Sequence, residues 1–355
     1  MPSIEGGGVE KNLFIIANFL AQKINGLFLI TASYNFKKRF NHRIKIILPK
    51  HKIWENFGRK YKYLICLLIL FKFLIVNKNT TVLAFQANLY CIILCKLLSV
   101  KIIVRSNSAP EGWSNNLIKK YLYKLLINQA DKVIVNSYDF KKNMKKKFNV
   151  NSTVIYNPLN KSEIIKKSKK IQNKVFPKNC LKIINIGRFV DQKDQLTLLR
   201  SLNLIKNKIN FFAIIMGRGI LHKKLLSYVN QNNLSDNVKF INYKENPYPY
   251  IKQAEIFILS SKYEGLPNVL LEAITLKKFV ISTNCPVGPR EILMNGKAGS
   301  LFPVGNFRKL AYKILSYQTN KINKKKIVKK AYKNLYRFDF KKNLNKYLNL
   351  IITLM

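Results

Sequence analysis

Short apolar runs bounded by polar or turn-forming residues alternate along this chain with longer stretches of helical period. In the first half, the runs at 27–31, 44–48, 81–85, 101–105, 132–136 and 153–156 predict strands. In the second half, those at 182–186, 211–216, 238–241, 256–259 and 279–283 do the same. Helical stretches at 9–22, 194–205, 222–232, 249–253 and 289–294 accompany these strands, and the tail from Phe307 onward is helical and basic. Strands that alternate with helices build parallel sheets covered by helices, so the pattern predicts an α/β fold of doubly wound, Rossmann-like sheets.

The series runs twice, and 355 residues suit two domains of ordinary size. Asn157-Pro158 closes the first series. The lysine-rich segment 161–178, with Pro177 near its end, reads as the connection between domains. The expected division is a first domain over 1–160, a second over 179–335 and a final helix over 336–355. Gly6-Gly7-Gly8 looks like the first strand-to-helix loop of a doubly wound sheet, yet no strand feeds it. That strand is central in such sheets, so the expectation is an unfilled slot in a truncated chain or one that starts inside a longer protein. The alternative is that the residues before Gly6 suffice as a stub. Residues 63–76 are the most apolar segment. Fourteen residues interrupted by Lys72 are too few to span a bilayer, which needs about 20. A buried helix is the favoured reading over one that dips into a membrane interface.

The richest chemistry lies in Ser260–Ala273, where a strand turns through Gly265 and Pro267 into an apolar helix. Pro267 suits a first helical turn, where its missing N–H would be unpaired anyway. The amides of Asn268, Val269 and Leu270 are therefore expected to point out of the helix start as an anion site. Glu264 and Glu272 flank it. Carboxylates only accept hydrogen bonds, so this pair suits a ligand that carries hydroxyls as well as phosphate, as a nucleotide sugar does. Gly187-Arg188 follows another strand and Lys193 stands at the next helix start, the end of an open α/β sheet where anions are held; both cations can reach one diphosphate. Gly217-Arg218-Gly219 follows a third strand and reads either as a close backbone approach to a ligand or as a plain turn, because the dinucleotide glycine pattern fails at His222. The amides of Gly6, Gly7 and Gly8 could touch a donor phosphate or an acceptor. No Asp-x-Asp occurs, Asp191 with Asp194 coming nearest, so no metal ligands are expected.

Glu264 and Glu272 resemble the Glu-x7-Glu signature of the retaining glycosyltransferases of family 4. Asn185-Ile186-Gly187-Arg188-Phe189 with Lys193-Asp194, then Met216-Gly217-Arg218-Gly219, then Gly296-Lys297-Ala298-Gly299-Ser300-Leu301-Phe302-Pro303 fall in that family's order. The similarity is close over the second half and looser before residue 160. It implies a GT-B fold, two Rossmann-like domains facing across a cleft, the first on the acceptor side and the second binding the nucleotide sugar, with the last helix crossing back. It implies a metal-independent hexosyltransferase in which Arg188 and Lys193 neutralise the leaving diphosphate, Glu264 contacts the sugar ring and Glu272 holds the ribose hydroxyls. Gly187, Gly217, Asn242, Asn268, Val269 and Leu270 would complete the donor site. The co-substrate would be a UDP-linked sugar supplying a hexose or N-acetylhexosamine, with no further cofactor. Family members often carry a histidine in the first domain near the reacting sugar. The comparable strand end here, Ile103-Val104-Arg105-Ser106-Asn107-Ser108, has none, which leaves Arg105 and Asn107 as acceptor-side candidates, with capping by Ser106 and Asn107 an equal reading. The stretch 282–291 is similar to bacterial members that build cell-envelope glycans such as lipopolysaccharide, some on lipid-linked acceptors, so the implied place of work is the cytoplasmic face of the inner membrane.

Composition changes this picture little. The formal charge of +48 points to nucleic acid or an anionic membrane. The excess is spread along the chain with abundant Asn, Ile, Leu, Phe and Tyr, the mark of compositional drift, and no nucleic-acid motif accompanies it, so no nucleic-acid partner is expected. Attraction to anionic lipid stays open as a peripheral association. Five scattered cysteines and three distant histidines give no metal spacing and suit a reducing cytoplasm. Two rivals remain: a glycoside hydrolase using Glu264 and Glu272 as its two carboxylates, and a noncatalytic basic protein that binds membrane or nucleic acid.

Overall fold

The computed structural model describes residues 1–4, 7–107, 117–170, 174–319 and 323–355. The chain forms two compact units, Met1–Pro158 with Phe340–Met355, and Leu159–Asp339.

The first unit holds β1 (Phe28–Ile30), β2 (Lys45–Ile47), β3 (Thr81–Ala84), β4 (Lys101–Arg105), β5 (Lys132–Val135) and β6 (Thr153–Val154). They do not form one sheet. β1 and β2 are a parallel pair, and β3-β4-β5-β6 are a separate parallel sheet. Residues 1–4 are bonded on the β1 side through backbone, the Met1 amine donating to Ile30 O at 3.0 Å and Ala32 N to Pro2 O at 3.0 Å. Towards β3, Ser3 N donates to a side chain, Gln86 Oε1, at 3.2 Å. A sheet needs a ladder of backbone bonds to continue, and a single side chain does not supply one. The helix Gly8–Leu20 buries Leu13, Phe14, Ile16 and Leu20 in a core that also takes Leu344, Tyr347 and Ile351 from the helix Phe340–Ile352.

The apolar segment expected to be a buried helix is a helix, Arg59–Val76, but only Cys66 and Leu74 are buried. Its apolar residues lie all round, and it packs against β1, the turn Lys52–Glu55 and the helix Asn88–Leu97. Burying one stripe leaves the rest in solvent.

The second unit is a single parallel sheet of β7 (Leu181–Ile186), β8 (Phe211–Gly217), β9 (Val238–Asn242), β10 (Ile256–Leu259), β11 (Phe279–Thr283) and β12 (Ser300–Phe302), ordered β12-β11-β10-β7-β8-β9. β10 and β11 are buried throughout and β7 nearly so, as strands covered on both faces must be. The helices Gln195–Ile205 and Phe307–Gln318 pack together over one face in the main core. Residues 161–167, the start of the expected connection, are helical in the structure. Asn160 caps a helix, Lys161–Lys167, by accepting from Glu163 N, and Ile164 is buried against the second unit. The lysine-rich composition hid one apolar anchor.

Candidate active site

β7 runs through the middle of the second sheet. From it the chain builds outward through β8 and β9, then returns to add β10, β11 and β12 on the other side, so the order reverses between β7 and β10. Loops leaving the two strands must diverge there, and open α/β sheets bind ligands outside the strand carboxyl ends at such a point. Backbone pairing of β10 with β7 covers only Ile256↔Ile183 and Phe257↔Ile184. Past it, the buried Asn185 side chain donates to Ile258 O at 2.8 Å and bridges the strands as they part.

The loops that follow are stitched together. Lys262 N donates to Gln192 O at 2.8 Å, Gln192 Nε2 to Tyr263 O at 2.9 Å and Ser260 Oγ to Lys193 O at 3.0 Å. This lattice sets Lys193 Nζ against Glu264 Oε1 at 2.5 Å, both side chains largely out of solvent. A buried pair of this kind holds because each charge answers the other; removing one partner typically costs about 3–5 kcal/mol. Arg188, at the carboxyl end of β7, is exposed, and its carbonyl accepts from Gln195 Nε2 at 3.0 Å. The two aspartates nearest a metal pattern are otherwise engaged. Asp194 caps the helix Gln195–Ile205 through Thr197, and Asp191 pairs with Lys262 at 2.6 Å. Among the described residues no three His, Cys, Asp or Glu side chains cluster so as to hold a metal ion.

The helix after β10 runs Asn268–Thr275, with Pro267 as its N-cap rather than inside its first turn. Leu270 N donates to Pro267 O at 3.1 Å, so this amide, expected to point outward, is spent within the turn. Asn268 and Val269, both half-buried, are the first helical residues. Glu264 and Glu272 are both buried, on either side of this start in sequence. Gly288 sets its position. At φ +90°, a Cβ on Gly288 would fall 1.8 Å from Gly265 O and 3.0 Å from Pro267 Cδ. The loop after β11 therefore props the helix start directly, backbone on backbone. Cys285 on the same loop is buried near Glu264; burial first, then the Glu264 charge, pushes its thiol up to about 12.

The glycines at and just past the end of β8 serve packing. A Cβ on Gly217 would lie 1.9 Å from Gly187 O, and one on Gly219 would lie 2.4 Å from Phe189 O. The loops continue the β-pairing, Gly187 N to Met216 O at 3.0 Å and Phe189 N to Arg218 O at 2.8 Å. Of the alternatives open in the sequence, what these glycines allow in the structure is contact between neighbouring loops. Asn242 ends β9 in solvent opposite Gly217, and the Arg218 guanidinium lies 5.1 Å from the exposed Tyr243 ring.

In the first unit, Arg105 is enclosed. Its Nε donates to Tyr347 Oη at 2.8 Å and its Nη2 to Asn157 Oδ1 at 2.7 Å, and 1% of the residue is exposed. As an acceptor-lining residue it would have to be open to solvent; its placement is that of an internal tie. Asn107 Nδ2 donates to Phe85 O at 2.9 Å, joining the ends of β3 and β4. Gly7 caps the helix Gly8–Leu20, and the Glu10 carboxylate folds back to 2.8 Å from where a Gly7 Cβ would sit. Gly6 lies outside the described residues. Sequence reasoning missed Gln192, and it quoted Ser260, Asn185 and Gly288 within motifs without giving them a role of their own. Asn185 left a signal, a polar residue inside an apolar strand; Gln192 left none.

Residues 166–334 match the family described as Glycosyl transferases group 1, and the match lies within the second unit. An uncharacterized glycosyltransferase of Methanocaldococcus jannaschii is 36% identical over 200 residues, 53% of this chain and 48% of that relative. The N-acetylgalactosamine-N,N'-diacetylbacillosaminyl-diphospho-undecaprenol 4-alpha-N-acetylgalactosaminyltransferase of Campylobacter jejuni is 28% identical over 195 residues, 54% of this chain and 52% of that relative. The chain thus spans about half the length of the curated relatives it matches. The crystal structure of Anabaena HepE in complex with UDP superposes with a TM-score of 0.80 over 99% of this chain and 98% of that one, at 16% identity. A likeness at that identity shows the fold, which is α/β of the GT-B type.

Proposed function

We propose, from the premise that residues 166–334 form a group 1 glycosyltransferase domain, that the protein is a retaining glycosyltransferase that uses a UDP-linked hexose or N-acetylhexosamine. The observation that carries the reading is the Lys193–Glu264 pair at the point where the sheet order reverses, beside a helix start whose cap and flanking carboxylates are fixed. The leaving diphosphate is received by Arg188, Lys193 and the amides of Asn268 and Val269. Fixed charges aimed at developing negative charge are the usual main source of rate acceleration, and here they act without a metal. Glu272 accepts from the ribose hydroxyls and Glu264 meets the sugar near the reacting carbon. When diphosphate arrives, Lys193 exchanges one oxygen partner for another and frees Glu264 for the sugar. Gly187, Gly217 and Asn242 border the nucleotide. The first unit supplies the acceptor side, with the loop at Gly7 and Gly8 nearest in role to the family's.

The acceptor is a cell-envelope glycan or a lipid-linked sugar, in keeping with the Campylobacter relative named for a diphospho-undecaprenol substrate, and the enzyme works at the cytoplasmic membrane face. A cation cluster is of no use to a glycosidase, which disfavours hydrolysis of simple glycosides. Thermal shift of the purified protein with a panel of nucleotide sugars tests the reading: stabilisation by UDP and one UDP-sugar, without added metal, is expected. No response to any nucleotide, with cleavage of unactivated glycosides, would replace it with the hydrolase reading.

A further inference from the structure

Three helices of the first unit lie side by side: Arg59–Val76 packs on Asn88–Leu97, which packs on Leu117–Ile127. Each turns an apolar stripe outward. On the first, Tyr61, Leu64, Leu68, Phe71 and Ile75 are all exposed, at the helical spacing that puts them in one row. Tyr90, Ile93 and Leu97 repeat the row on the second, and Ile118, Tyr121, Leu122 and Leu125 on the third. These are not grazing exposures: Leu64 is 57% exposed, Leu97 77% and Ile118 71%. Ile53 and Phe57, in the turn that leads into the first helix, extend the patch. Large apolar residues scattered singly on a surface need no explanation, but consecutive rows on adjacent helices mark a surface that is covered in use.

Charge names the cover. All charged residues of the three helices are basic, namely Arg59, Lys60, Lys62, Lys72, Lys96, Lys119, Lys120 and Lys124. Lys96 is paired with Asp131. An apolar row with tyrosines, edged by cations on helices that carry no acid, is complementary to a bilayer interface that carries anionic headgroups; Glu55, in the turn between Ile53 and Phe57, accepts from Tyr34 N and Asn35 N at 3.1 Å. A protein partner would be met by a patch depleted in lysine at its centre. Among the described residues no helix is long and apolar enough to cross a membrane, so the rows lie along the surface.

We infer that the outward face of the helices Arg59–Val76, Asn88–Leu97 and Leu117–Ile127 docks the first unit onto an anionic lipid bilayer, apolar side chains in the interface and lysines on the headgroups. This deepens the membrane-side part of the proposed function and names the surface responsible; it does not need the donor site to work.

The test is co-sedimentation of the full chain with vesicles of phosphatidylcholine alone and of phosphatidylcholine with about one-third phosphatidylglycerol, at salt of about 0.1 M and about 1 M, between which the Debye length falls from about 10 Å to about 3 Å. Strong binding to the anionic vesicles, weakened by salt, is expected. The variant Leu64→Ser, Leu68→Ser, Phe71→Ser should lose about tenfold in partitioning while its melting and its UDP thermal shift stay those of the parent, because all three side chains are exposed. Lys60→Glu with Lys120→Glu should lower binding to the anionic vesicles only. The parent remaining in the supernatant with both lipids would overturn the inference, and so would unchanged binding by the serine variant. A dimer in solution that the serine variant abolishes, without lipid binding, would assign the face to a second copy and overturn it too. Failure of the UDP shift with vesicle binding intact would count against the donor site alone.

Discussion

The two units close a parallel sheet in different ways. The second carries six strands in one sheet and links the loops at its order reversal through side chains: Lys193 with Glu264, Gln192 with Tyr263, Ser260 with Lys193. The first has its strands in two pieces, gives its most enclosed cation only neutral partners, and leaves rows of apolar side chains in solvent. Where the sheet reverses order, a buried ion pair stands at the strand ends. Where helices are over-supplied with apolar residues, the excess goes outward and a surface follows.

The comparison can be broken most forcefully at Arg105. Its replacement by Ala leaves a cavity and strips Tyr347 and Asn157 of a donor, and should lower stability by about 4 kcal/mol. Chemical denaturation should show the loss while UDP affinity holds. An unmoved midpoint with weakened acceptor use would return Arg105 to a ligand surface. Next comes Gly288→Ala, about 3 kcal/mol from overlap with Gly265 and from an unfavourable φ. Here UDP binding should fall together with stability, and parental melting would refute direct propping of the helix start.

Lys193→Ala should slow turnover about 100-fold, and it should also destabilise by leaving Glu264 alone. Adding Glu264→Gln should restore the stability and not the turnover; recovery of both would mean the pair is structural. Glu272→Ala should weaken donor binding about tenfold with little change in kcat. Full activity in both Lys193→Ala and Glu272→Ala would end the donor assignment.

The smallest effect is the most informative about the units. Burial pushes the thiols of Cys66 and Cys91 up to about 11, and those of Cys95 and Cys285 up to about 12. A raised folded value favours the neutral thiol, so this contribution is complete below the unfolded value of about 8.5 and is lost as pH rises from there through about 11 to 12. At about pH 8 iodoacetamide should spare all four in the folded protein. In rising denaturant Cys66, Cys91 and Cys95 should be labelled before Cys285, because the first unit has the more divided sheet. Simultaneous labelling would mean that the units unfold as one.

The alternation of apolar runs was enough to read parallel strands, and at β4 and β11 even the ends agree. β12 went unread because three residues in a glycine-rich stretch carry no period. The apolar segment 63–76 was read as a buried helix because periodicity identifies a helix without saying how much of it the protein will cover. The residue types of the proposed donor site stood in the sequence at the ends of predicted strands. The Lys193–Glu264 pair was not legible, since its members stand 71 residues apart and meet only through the order of the strands. Arg105 was misplaced for the same reason: its partners lie 52 and 242 residues away.

The helix that follows Phe340 completes a core begun at Ile4. During translation the contiguous run 159–339 can settle as soon as it emerges, while residues 1–158 wait, with Arg105 and Phe85 unsealed, for Tyr347 to be delivered. Of the two units, the one begun earlier along the chain is therefore the later to close, because its last helix is made only after the whole of the other.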